Sequence, residues 1–441
     1  MNRSIRFGFA RLSGVISAGM LALAVSCGYF DPLDPLAREP AAADDSVSWE
    51  RVIRPTTIPG AGTGDDRGSC VQQTADGGFI IAGYLENMPL DNYNYGAWLV
   101  KTDAAGNVEW EESYGGDAEA KAFFVQQAPD EGYIVTGYKE TSPSEYDLWL
   151  FKVKPDTLAL KPGELEWERT YGEADKWECG YCVLTELDGS EIRYIVAGDR
   201  DEALSQYSDA WLFKTDAAGT TLWSNTYGNA LKQDYARSVV RTLDGGYLIA
   251  GEIQISDTDV NAWMIKTDAS GNYSWEADFG KTTGETADNT DRFSCVIQSS
   301  DGGYVLAGET NSYSVLDYDA WMIKTDDSGQ VTPPPGWSRT YGVDGYFDWG
   351  ACVRQTLDGG YILAGMTRSG PLGAQNEDFY LVKTDSGGEQ QWYRNFGRDS
   401  NEAARSVCET TDGGYVAVGY TNSFSGGYNM YLVYYNPDTS P

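Results

Sequence analysis

Six carboxylates stand at one position of a recurring unit: Asp66, Glu178, Asp234, Asp291, Asp348 and Glu402. Each lies ten residues before the turn aspartate of its unit, which opens Asp-Gly-Gly in five of the six and Asp-Gly-Ser at Asp188. In a seventh copy Ala120 takes the place, with Glu119 beside it. Carboxylates gathered about one axis repel one another and attract a hard, oxygen-seeking cation such as calcium. A pair of them in a deep pocket would instead suit a glycan hydrolase or lyase. The plainer alternative is that each acid caps its own turn by accepting backbone N–H bonds.

Other chemistries are thinly represented. The chain has no histidine, which removes the usual general base, the Ser-His-Asp triad and imidazole-bound zinc or copper. Cys70, Cys182, Cys295 and Cys352 share one repeat position and are expected to be buried small apolar residues. Cys179 and Cys182 form a CxxC at the start of a strand, not of a helix, so a redox role is not expected. No catalytic residue is assigned, and no cofactor is expected beyond calcium at the carboxylate ring.

The elements that would carry these residues follow from self-comparison. Turn aspartates recur at Asp76, Asp130, Asp188, Asp244, Asp301, Asp358 and Asp412, spaced by 54, 58, 56, 57, 57 and 54 residues. Each unit divides into four short runs separated by turn residues. The first holds a Val five before the turn aspartate in all seven copies, Val71 to Val407. The second is almost wholly apolar and closes on a glycine, Gly83 to Gly419. The third carries Trp98, Trp149, Trp211, Trp263, Trp321, Tyr380 and Tyr431, and the fourth Trp110, Trp167, Trp223, Trp275, Trp337 and Trp392. Four antiparallel strands at such a period make one blade of a β-propeller. The seventh unit lacks its fourth strand, and VSWERVI (47–53) matches the missing sequence. The expectation is an all-β, seven-bladed propeller over residues 46–438 whose last blade is closed by the N-terminal strand, hiding an open edge.

The repeats resemble the extracytoplasmic bacterial and archaeal β-propeller repeat families, with units of the form DGGYxxAG…DAWLxKTDxxGNxxWxxxYG. That resemblance implies scaffolds and binding modules more than any one chemistry.

Residues 1–26 read as an export signal: Arg3, Arg6 and Arg11, then the short apolar stretch 13–25. LALAVSCG resembles a bacterial lipoprotein signal, which implies lipidation at Cys27. The motif departs from the usual pattern, with Ala24 where leucine is common and Leu23 one place back. Residues 27–45 are rich in Pro, Ala and acids and read as a tether. The protein is thus expected at the outer face of a bacterial membrane, held by the lipid alone; cleavage after Ala24 would give a soluble secreted form.

The formal charge of −34 argues against a nucleic-acid partner and favours cations or basic protein surfaces. In the propeller arrangement the innermost strands begin at the top mouth of a central channel, where the six acids are placed. The loops 84–96, 138–147, 199–209 and 367–378 share that face and mix Tyr, Asn, Ser and Asp. They suit a recognition surface for a protein or carbohydrate. Sequence insertions at 154–166, 188–193 and 331–336 fall on the opposite face, which favours binding over catalysis, and the protein is expected to be a monomer.

Overall fold

The computed structural model describes residues 49–437, apart from 57–63, 88–93, 144, 157–160, 202–206, 230, 281–288, 314–316, 332–335, 343–344, 370–375, 399 and 425–426. The leader, Cys27 and the tether lie outside the described residues, and the loops of the top face lie partly outside them.

Among the described residues there are 28 strands and no α-helix. They form antiparallel four-stranded units, numbered one to seven here in chain order. Units one to six begin at Arg67, Ala120, Glu178, Asp234, Asn289 and Asp348. Units four and five are joined by a short parallel pairing of Asp259–Val260 with Asn289–Thr290. Unit seven consists of Glu402–Glu409, Tyr415–Thr421, Asn429–Tyr435 and, at its outer edge, the N-terminal strand Trp49–Ile53. That last pairing is antiparallel, with Trp49 opposite Tyr434 and Ile53 opposite Met430.

The second and third runs are buried on both faces, as their unbroken apolar character requires. Successive units share cores, and so do the last and the first: Val71, Ile81 and Trp98 pack with Val416, Val418 and Leu432. Polar bolts reinforce these seams. Tyr114 and Tyr341 each donate a hydroxyl hydrogen bond to a glycine carbonyl of the next unit, Gly163 and Gly388, at 2.8 Å. The four repeated cysteines also cross seams: each thiol points at the valine carbonyl of the following unit, at 3.7–3.8 Å. They are buried and unbridged, as expected of small apolar residues.

The turn aspartates have a partner that the sequence reading did not identify. The lysine of the third run is buried and pairs with the turn: Lys101 with Asp76 at 2.8 Å, Lys152 with Asp130 at 2.7 Å and Lys383 with Asp358 at 2.8 Å. Burial works against the charge on Asp76, but Lys101, the Thr74 hydroxyl and the Gly78 N–H hold its carboxyl down to about 2.

The tryptophans divide into two classes. Those of the third run, such as Trp98 and Trp149, are fully buried. Those of the fourth run and Trp49 are only half-buried, because that strand is the outermost of its unit.

Candidate functional site

The innermost strand of every unit carries the same irregularity. Its register slips by one residue: between Gly68 and Cys70 in unit one, and between Ala404 and Ser406 in unit seven, with the five other units alike. The cause lies on the adjacent strand. A Cβ placed on Gly83 would stand 2.0 Å from the carbonyl oxygen of Arg67, and the equivalent glycines are as tightly approached. Only glycine permits this contact, which lets the inner strand bulge. A bulge re-aims the extra residue. The seven bulge residues are Ser69, Phe123, Tyr181, Arg237, Ser294, Ala351 and Arg405, and all seven line one cavity of about 800 Å³. The innermost strands of all seven units therefore face a single space.

The six predicted carboxylates are not what faces it. Asp66, Glu178, Asp234, Asp291, Asp348 and Glu402 are all fully buried, and none lines the cavity. Most accept hydrogen bonds from their own loops. Asp66 accepts from the Glu86 N–H at 3.2 Å, and Glu178 from the Glu173 N–H at 3.3 Å. Asp234 accepts from the N–H groups of Asn229 and Gln254, at 2.6 and 2.9 Å. Asp291 accepts from Thr310 and Ser312, and Glu402 from Thr421 and Ser423. Asp348 packs against Gly342. Among the described residues no three His, Cys, Asp or Glu lie close enough together to hold a metal ion.

These acids meet the polar residue that opens the third strand of the preceding unit. A Cβ on Gly172 would lie 2.5 Å from Asp147 Oδ1 and 2.7 Å from Glu178 Oε2. Gly397 stands between Asp378 and Glu402 in the same way. Burial, and then the neighbouring Asp147 carboxylate, push Glu178 up to about 8. Burial pushes Asp66 up to about 7, and burial followed by Glu402 pushes Asp378 up to about 6. Oε2 of Glu178 has no hydrogen-bond partner among the described residues.

What lines the cavity is cationic and aromatic. Four arginines contribute, Arg67, Arg237, Arg292 and Arg405, against two glutamates, Glu252 and Glu309. Arg237 pairs with Glu252 at 2.7 Å, and Arg292 bridges Glu309 at 3.1 Å and Glu252. Arg67 lies 4.1 Å from the Tyr428 ring centre and 4.5 Å from that of Tyr420. Arg405 lies 4.3 Å from that of Trp349. Stacking on a ring fixes a guanidinium while leaving N–H donors for a ligand. Burial lifts Glu309, and the Arg292 guanidinium opposes the lift. Such a space can bind a compact polar ligand with an anionic group. Sequence reasoning passed over these arginines because they break the repeat; their signal was a basic residue at a position that is small or aromatic in most other units.

No protein-family model and no curated protein matches this chain. Solved structures with similar backbones include a puromycin hydrolase, 13% identical with a TM-score of 0.49 over 82% of this chain and 51% of that one. The chain thus spans about half the length of that enzyme. An intramolecular trans-sialidase from Ruminococcus gnavus is 10% identical, with a TM-score of 0.39 over 90% of this chain and 100% of that one. A protein of unknown function from Bacteroides caccae is 13% identical, with a TM-score of 0.36 over 62% of this chain and 80% of that one. Likeness of this degree assigns no family and no activity.

Proposed function

We propose that the chain is a closed seven-bladed β-propeller that works as a binding module, with the axial cavity as its site and a saccharide as its ligand. One observation carries this reading: the framework repeats while the cavity does not. The valine of the inner strand is the same in all seven units, whereas the bulge residues around the cavity are of five types. A framework can be copied, but a single asymmetric ligand on the axis needs a different group from each side. The cavity volume falls within the range of small-ligand sites. Its mixture of arginine, tyrosine, tryptophan and glutamine suits the hydroxyls and ring faces of a sugar better than a flat protein surface.

Export and anchoring at Cys27 complete the proposal, placing the site outside the membrane. Cys27→Ser should move the protein from the detergent phase to the aqueous phase; unchanged partition would remove the anchor.

The alternative, a carboxylate-dependent glycan hydrolase or lyase, rests on Glu252 and Glu309 sharing the cavity. The clamp of Arg292 on both of them counts against it, because the same guanidinium already engages both carboxylates.

The test is titration of the purified protein with a panel of neutral and acidic saccharides by calorimetry, alongside Trp349→Ala and Tyr181→Ala. Saccharide binding that weakens about tenfold or more in either variant is expected. Binding that both variants retain in full would place the site elsewhere, and product release from a bound glycan would favour the hydrolase.

A further inference from the structure

The bulge residues do more than line the axial cavity. The same seven also line a second, smaller cavity of about 300 Å³, so they stand between two chambers, called outer and inner here. The inner chamber is unlike the rest of the molecule. The chain carries 66 acidic residues against 32 basic ones, yet no Asp or Glu lines this space. Three arginines do, Arg237, Arg354 and Arg405, together with the hydroxyls of Ser69, Ser238, Ser294 and Ser406 and the amides of Gln72 and Gln126.

Two of these arginines lack an acidic partner. Arg237 is matched by Glu252. Arg354 donates to the Val353 carbonyl at 2.9 Å and approaches the Cys295 sulfur at 3.4 Å. Among the described residues neither Arg354 nor Arg405 has an ion pair with a carboxylate. Arginine does not shed its proton in a protein, so its charge must be met by another group. Arg354 and Arg405 are each half-buried, so both guanidinium groups stay open to the chamber with no carboxylate to meet their charge. Among its valine, leucine, isoleucine and phenylalanine walls, the hydroxyl and amide donors beside these guanidiniums are complementary to an anion.

We propose that the inner chamber is an oxyanion site, in which Arg354 and Arg405 hold one small oxyanion between them. The oxyanion has two sources: a free inorganic ion such as sulfate or phosphate, or the carboxylate of a uronic-acid residue whose sugar ring sits in the outer cavity. The second source rests on the saccharide-binding reading above; the first does not. The internal competitor is the Cys295 thiol, which the neighbouring Cys352 and then Arg354 hold below the usual thiol range.

The experiment is a set of thermal melts and calorimetric titrations at fixed ionic strength, with sodium chloride exchanged for sodium sulfate, sodium phosphate, galacturonate or neutral galactose. A saturable rise in melting temperature is expected with sulfate or phosphate, or with galacturonate but not galactose; which arm responds names the source. Arg354→Gln and Arg405→Gln should each weaken that binding about tenfold or more, because each removes charge-assisted hydrogen bonds. Arg354→Gln should melt no lower than the parent without added anion, since the lost charge had no carboxylate partner. Flat responses to all three anions would overturn the site, as would a response that survives in both variants. Flat responses together with alkylation of Cys295 at mildly acidic pH would show that its thiolate is the counter-charge instead. The two readings fail separately. Sulfate binding without any saccharide binding keeps the oxyanion site and removes the saccharide; galactose binding without any anion effect does the reverse.

Discussion

Replacing Glu178 by glutamine should stabilise the protein at neutral pH and change little in mild acid. The folded chain holds this carboxyl at about 8, against 4.5 when unfolded. Below about pH 4.5 both states carry the proton and folding meets no penalty. Between about pH 4.5 and 8 the unfolded chain is ionised while the folded chain binds a proton, so stability falls as pH rises. Each pH unit of that interval costs about 1.4 kcal/mol. At pH 7 the accumulated cost is about 3 kcal/mol, and at pH 5 it is below about 1 kcal/mol. Glutamine needs no proton, and its carbonyl can accept from the Glu173 N–H as Glu178 Oε1 does. Glu178→Gln should therefore gain about 3 kcal/mol at pH 7 and little at pH 5. Urea denaturation at both pH values, with the slope of the transition unchanged, would measure this. An equal effect at the two pH values would refute the reasoning, because it would mean that Glu178 is ionised in the fold.

Trp49→Ala should cost about 2 kcal/mol, short of the roughly 3–5 kcal/mol expected for the fully buried Trp98, because Trp49 is half-buried against Tyr434 and Phe79 at ring distances of 5.4 and 6.3 Å. Denaturation of the two single variants checks the order, and equal losses would show the outermost strand to be as deeply packed as the third. Melts in calcium, in magnesium and with chelator should superimpose, since the carboxylates at Asp66, Glu178, Asp234, Asp291 and Glu402 are already engaged by donors of their own loops. A rise specific to calcium would show that they act together as one site.

What the sequence made legible is what the chain repeats. The valines, the closing glycines, the shared cysteine position and the match of residues 47–53 to a missing fourth strand all stand out by comparison of the units, because identical seams demand identical residues. Burial of the six acids was harder to see. Their spacing marks the start of the inner strand but says nothing of whether the side chain turns toward the axis or back into the seam, and the loop donors around Asp291 and Glu402 decide that. The cavity was hidden for the opposite reason. Arg237, Arg354 and Arg405 have no counterpart in most units, so a search for recurrence passes over them. Their placement also depends on a bulge that arises from a glycine on a neighbouring strand, a relation between strands that no single run displays.

The pairing of the two chain ends has a mechanical consequence. Because Trp49 faces Tyr434 and Ile53 faces Met430, the strand leaves its sheet at the same end as the C-terminus. Tension drawing the two ends apart runs along the hydrogen bonds of the ladder and not across them, so the bonds of this five-residue strand would part in sequence, like a zip, and not together in shear. The seam yields at a low force and leaves the edge of Asn429–Tyr435 bare, a strand ready to pair with any passing chain. A pull at the N-terminal end is therefore felt first at this outer strand, while the two cavities lined by the innermost strands, three strands further in, stay assembled.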